Sequence, residues 1–253
     1  MPLHEEPRKS PVYALTAQRR RPRPVLVSLL ATFAALNVVA DLLPLTPVIG
    51  VNGAFFRLSW VVAPLTGLLL GPVWGGGSCV LAGLVELCCG LQSTQPFGLF
   101  TPFRMGLSAV QAGLVVKGQW KTAVTSLGSL IGVWALLPAG REALLAVSLQ
   151  GVGCVLLLAS RTRIRGYVAS ASWKQVALGV AVAAYSGNVS RHLLGNLLLV
   201  VLTDAPSTIF VAAMPFTIVE QAVFLVAAII LGTALTRTRA QAFLEVYGES
   251  KAF

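Results

Sequence analysis

Single charged and amide side chains stand inside long apolar runs of this chain, and theirs are the residue types and spacings that can do chemistry. Arg57, Glu86 and Arg104 lie in or at the ends of the apolar runs between Gly50 and Gly113. Further on, Tyr185, Asn188, His192 and Asn196 step by three, four and four, which sets them on one stripe of a helix with Arg191 and Gly195 beside it. A later run carries Thr217, Glu220 and Gln221. An isolated charge in hydrocarbon is costly, so each should be paired, line a wet cavity or touch a ligand. The chemistry on offer is recognition. Arg57 and Arg104 can meet an anionic group, Trp60, Phe97 and Phe103 can stack on or enclose a flat ring, and Glu86, Asn188, His192 and Asn196 can set hydrogen bonds. The bland readings stand beside these: Arg57 and Arg104 can snorkel to head groups, and the stripe can be a polar clamp between two helices. Arg191 and Glu220 fall at comparable depth and are expected to pair, because an unpaired ion there is strongly disfavoured.

The elements that must carry these groups are membrane elements. Over 253 residues, 56% are hydrophobic and 11% charged, and the mean hydropathy is +0.79, far from a soluble domain. A net charge of +10 would suggest nucleic acid in a soluble protein. Here all Lys and Arg except Arg57, Arg104, Arg141 and Arg191 fall in segments that a helical reading puts on one side of a bilayer, so the excess is the positive-inside bias and no nucleic-acid partner is implied. Cys79, Cys88, Cys89 and Cys154 lie in apolar runs without a CxxC or a nearby His, and read as small apolar residues. Two histidines and no paired acidic motif argue against a metal or acid–base enzyme. No cofactor is implied, and no nucleotide-binding motif is present, so any ATP-driven step belongs to partners.

In order, the chain reads as a basic cytoplasmic tail (1–23), a transmembrane helical domain (24–236) and a cytoplasmic tail (237–253), all-α, with about eight spans, a crossing needing roughly 20 residues. The expected helices are Val25–Leu45, Ala54–Leu70, Val73–Leu91, Phe103–Val116, Thr122–Leu137, Ala143–Ser160, Gln175–Thr203 and Ile209–Leu235. The Pro/Gly/Asn loop Thr46–Gly53, with Asn52 in it, can fold over the pocket as a lid or serve as a plain connector. Gly128, Gly132, Gly151 and Gly153 in the fifth and sixth runs are explained by close packing. On the first helix, Asn37 and Asp41 share one side, while Ala31 and Ala35 form a small-xxx-small pair that lets another helix approach.

The stretch GAFFRLSWVVAPLTGLLLGPVWGGGSCVLAGLVE resembles the second and third helices of the substrate-binding S components of energy-coupling factor (ECF) vitamin transporters, most closely the folate-type branch. The resemblance rests on Phe56, Arg57, Leu58 and Ser59, on Pro64, on Gly71 to Gly75, and on Glu86, which stands where that family usually has Asp. It covers about sixty residues well, and the chain carries more apolar runs than the family usually does, the extra pair being 122–160. The resemblance implies a membrane subunit that captures a small vitamin-like molecule from the outer face. It also implies a transmembrane coupling subunit and two ATPase subunits as partners, with Ala31 and Ala35 docking on the coupling subunit. The substrate set expected from residues and resemblance together is Asn52, Arg57, Trp60, Glu86, Phe97, Arg104, Asn188, His192, Asn196 and Glu220. The alternative is a stand-alone proton-coupled secondary transporter using Arg191, His192 and Glu220, against which no inverted repeat between the halves is evident.

Overall fold

The structure is a computed structural model, and it describes residues 23–47, 55–91 and 97–248. Asn52, both chain ends and residues 92–96 of the loop expected after the third helix lie outside the described residues. The architecture is all-α apart from one small ladder. Helix α1 (Arg23–Leu42) leads into strand β1 (Pro44–Pro47), which pairs antiparallel with β2 (Phe55–Arg57). Then follow α2 (Ser59–Leu70), α3 (Pro72–Cys88), a single 3-10 turn at Gly98–Phe100 and α4 (Thr101–Val116). The second half holds α5 (Trp120–Leu136), the short α6 (Pro138–Glu142), α7 (Ser148–Ser160), the short α8 (Ile164–Val168), α9 (Trp173–Thr203) and α10 (Ser207–Gly248).

Local chemistry sets the breaks. Gly71 takes φ +83°, a conformation costly for other residues, and Pro72 then opens α3, where its missing N–H removes no helical bond. Asp204 adopts the left-handed conformation at the end of α9, and Pro206 stands just before α10. Several boundaries differ from the sequence expectation: the first helix stops at Leu42, the third at Cys88, and the sixth run is helical from Ser148 after a 3-10 turn at Leu144–Val147. Phe55–Arg57 is extended rather than helical, because its partner Pro44–Pro47 holds it in a ladder and the amide of Leu58 donates to the Leu43 carbonyl at 3.0 Å. The last helix runs on to Gly248 instead of fraying near 237, since no Gly or Pro interrupts Thr233–Tyr247.

Among the described residues, three helices are long and apolar enough to cross a membrane: Pro24–Leu42, Gly98–Val116 and Ser207–Thr238. Ser59–Leu70, Pro72–Cys88 and Leu144–Ser160 are apolar and shorter. The chain is thus a helical membrane protein. Its first half is a tight trio in which backbones nearly touch. A Cβ on Gly67 would lie 1.9 Å from the Ala109 carbonyl oxygen, and one on Gly113 would lie 2.4 Å from the Pro72 nitrogen, so only glycine lets α2, α3 and α4 approach this far. Helix α9 packs against α2, α4, α5, α7, α8 and α10 and is the centre of the assembly. Of the glycines of the extra pair, Gly153 lies against Leu127 and Val189 as close packing requires, whereas Gly128, Gly132 and Gly151 face open space among the described residues.

Candidate functional site

The site begins where α1 ends. Asp41, 3% exposed, turns its carboxylate toward the start of α2. Arg57 on β2 donates from Nη1 to the Asp41 carbonyl at 2.5 Å and forms an ion pair with the Asp41 carboxylate at 3.5 Å. The Ser59 hydroxyl donates to Asp41 Oδ1 and accepts a bond from Arg191 Nη2 at 3.2 Å. The β1–β2 ladder thereby has a purpose: it carries Arg57 back to the end of α1 and delivers Ser59 and Trp60 to the first turn of α2.

Trp60 is the centre of the cluster. It is buried, stacked on Phe224 of α10 (centroids 5.6 Å apart, planes 24°), and met edge-on by Phe56 at 5.0 Å. The Arg191 guanidinium lies 4.4 Å from its ring centroid and the Arg104 guanidinium 5.9 Å, while Arg104 sits 3.7 Å from the ring of Phe97. The His192 ring is 6.2 Å away. A cation over a desolvated tryptophan face gains about 2 kcal/mol or more, which holds the two guanidiniums in place but does not use their N–H donors. Arg191 Nε and Nη1, Arg104 Nε and both amide atoms of Asn188 have no hydrogen-bond partner among the described residues, and neither has the amide of Gln221, one residue along α10 from Glu220. Buried polar groups are satisfied in about nine cases of ten or more, so the unspent guanidinium donors about Trp60 make this cluster the candidate site.

Asp41 is the carboxylate tied into the cluster, through Arg57 and through the Ser59 hydroxyl that Arg191 reaches, while Arg104 lies against the faces of Trp60 and Phe97. Gly195 makes the arrangement possible: a Cβ there would stand 2.9 Å from Arg104 Nη2, so the guanidinium lies against the bare backbone of α9.

The expected residues divide as follows. Arg57, Trp60, Phe97, Arg104 and His192 come together, and Asn188 lies buried on the same helix as Arg191 and His192. Asn196 is half-buried one turn beyond His192, Glu86 is buried on α3, and Glu220 is 8% exposed on α10, one turn from Phe224. Four expectations are corrected. Arg191 does not pair with Glu220; it reaches Ser59 and Trp60, because α2 rather than α10 fills the space before its guanidinium, and Glu220 makes no ion pair among the described residues. Arg104 does not snorkel, being 5% exposed beneath Phe97. Phe103 is 59% exposed and encloses nothing. Tyr185 leaves the stripe's shared role, since its hydroxyl donates to the Leu149 carbonyl at 2.9 Å. Sequence reasoning missed Phe224 and the bridging role of Ser59. Phe224 was findable, as it falls four residues after Glu220 and seven after Thr217, on the face those polar residues mark. On α1, Asn37 and Asp41 are buried, with Asn37 donating to Thr66 Oγ1 at 2.9 Å, while Ala31 and Ala35 are exposed on the other side.

Among curated proteins, the chain is similar to an uncharacterized protein of Methanocaldococcus jannaschii, with 26% identity over 165 residues. The match takes in 65% of this chain and 55% of the relative, so the chain spans little more than half the length of that protein. No family model matches the chain, and no solved structure matches it.

Proposed function

We propose that the chain is a substrate-binding membrane subunit that holds a small anionic compound with a flat ring, vitamin-like in size, against Trp60. The observation that carries this reading is the pair of buried guanidiniums, Arg104 and Arg191, set around one indole with N–H donors unspent. An acid group would take those donors, and a ring would lie among Trp60, Phe97 and Phe224. Binding without covalent change suits the site, so the reading is of a receptor and not an enzyme.

In this proposal the polypeptide crosses the membrane about eight times, with both termini cytoplasmic and the Trp60 cluster toward the outer face. The likeness of Phe56–Ser59, Pro64 and Gly71–Gly75 to the S components of ECF transporters supplies the partners: a transmembrane coupling subunit and two ATPase subunits. The exposed Ala31 and Ala35 give α1 a smooth face for the first of these. Proteoliposome uptake of small metabolites, followed by mass spectrometry with and without the ATPase partners, tests the reading. Uptake of an anionic ring compound only with the partners and ATP is expected. Uptake driven by a proton gradient with this protein alone would favour a secondary carrier and overturn it.

A further inference from the structure

The end of the bundle opposite β1 and β2 carries a second set of unspent cations, independent of the Trp60 cluster. Here α4 ends and α5 begins, α7 ends, α8 lies across, and α9 starts. Lys117, Lys121, Arg161, Arg163, Arg165 and Lys174 are all exposed, and none forms an ion pair among the described residues. No Asp or Glu occurs anywhere in residues 113–124 or 157–176. The tight turn at Gly118, φ +72°, faces the side chain of Arg165, which a Cβ on Gly118 would meet at 3.8 Å, and the Lys117 side chain lies beside the turn at Gly71. The opposite end is mixed in sign, with Asp41, Glu142 and Asp204 beside Arg57 and Arg141.

Two of these cations converge on one ring. Lys121 Nζ, from the first turn of α5, lies 5.8 Å from the centroid of Trp120, and Arg161, from the end of α7, lies 5.7 Å from it. Immediately along α7 from Arg161 the surface is apolar and open: Leu158 is 43% exposed and Val155 63%. Trp74 and Trp173, 43% and 56% exposed, stand at the same end of their helices, as tryptophans do at the level of lipid head groups. A patch that is cationic at the rim and greasy one turn away matches a molecule with a phosphate head and acyl tails. A soluble acidic protein would use the charges and leave Val155 and Leu158 uncovered.

We infer that Trp120, Lys121 and Arg161 form a binding site for the phosphate of an anionic phospholipid, whose acyl chains lie along the Val155 and Leu158 face of α7. The site is tested on the full chain in nanodiscs of equal phosphatidylcholine and phosphatidylglycerol, by native mass spectrometry of the lipids that remain bound on release. Phosphatidylglycerol is expected to be retained in preference. K121Q/R161Q should reduce that preference by about fivefold for each cation removed, while K121R/R161K should keep most of it and R141Q, at the other end, all of it. Equal retention of the two lipids by the native chain would overturn the site. So would an unchanged preference in K121Q/R161Q, or a loss in R141Q as large as in the double variant. Displacement of the lipid by millimolar glycerol 3-phosphate would assign the pocket to a soluble phosphate instead, and would also overturn it.

Discussion

Two tryptophans organise two aromatic clusters in this protein, and the clusters are built to different ends. Trp134 of α5 is fully buried and met edge-on by Phe210 at 4.9 Å, amid Ala143, Ala146, Leu193, Leu197 and Ala205. Its indole N–H finds the Ala143 carbonyl at 3.4 Å, and among the described residues no cation lies over its ring. Trp60 is as well surrounded by rings, yet it also gathers Arg104, Arg191 and His192. Hydrophobic burial explains the first cluster completely. It does not account for the second, because two guanidiniums with idle donors cost stability in an apolar interior, a cost that the anion proposed above would offset. The contrast teaches that aromatic burial alone says nothing about function; unspent polar capacity beside it does.

That contrast can be broken or sharpened by substitution, beginning with the largest effect. Trp134→Ala should lower stability by about 3–5 kcal/mol, the usual cost of emptying a large core site, seen as a fall in the thermal midpoint in detergent. The Kd for the compound retained by the native chain should not change in the molecules that remain folded. Arg191→Gln should do the reverse. It should cost about 3 kcal/mol of binding, roughly a hundredfold in Kd, with a modest change in the thermal midpoint, as read by titrating Trp60 fluorescence in a variant whose other tryptophans are phenylalanine.

Gly195→Ala comes next. The added methyl displaces the Arg104 guanidinium from the backbone of α9, and overpacking of this kind costs about 1–2 kcal/mol. The loss should fall on anionic analogues of the ligand and spare neutral ones of the same shape. Should both classes weaken alike, Arg104 would not be the anion contact. The smallest effect is expected of Glu220→Gln. Since Glu220 is buried but not paired with Arg191, its replacement by a side chain of the same shape should change binding and stability by about 1 kcal/mol or less, and ATP-dependent uptake should continue. Abolished uptake would revive the proton-coupled alternative.

Much of the architecture was legible from residue order. The turn at Gly71 and Pro72, the break at Asp204 to Pro206 and the shared side of Asn37 and Asp41 follow from local rules that need no partner in space. Pairings across the fold were not legible. Spacing could place Arg191 on a stripe, but whether it turned to α2 or α10 depends on how closely α9 approaches each, which Gly187 against Pro64 permits on one side and Gly232 against Val180 on the other. Phe103 and Phe97 looked equivalent in sequence; the start of α4 then aims one outward and lays the other over Arg104. The ladder formed by Phe55–Arg57 was missed because an apolar run beside a membrane helix has no period that distinguishes a short strand from a helical turn.

The central claim is that the Trp60 cluster holds an anion, and the most direct measurement is the mass of what leaves with the protein. Native mass spectrometry should find a small acidic ring compound released from the gently purified chain. It should be lost from R104Q/R191Q and kept in Trp134→Phe. An empty native protein, or a compound retained equally by R104Q/R191Q, would contradict the account.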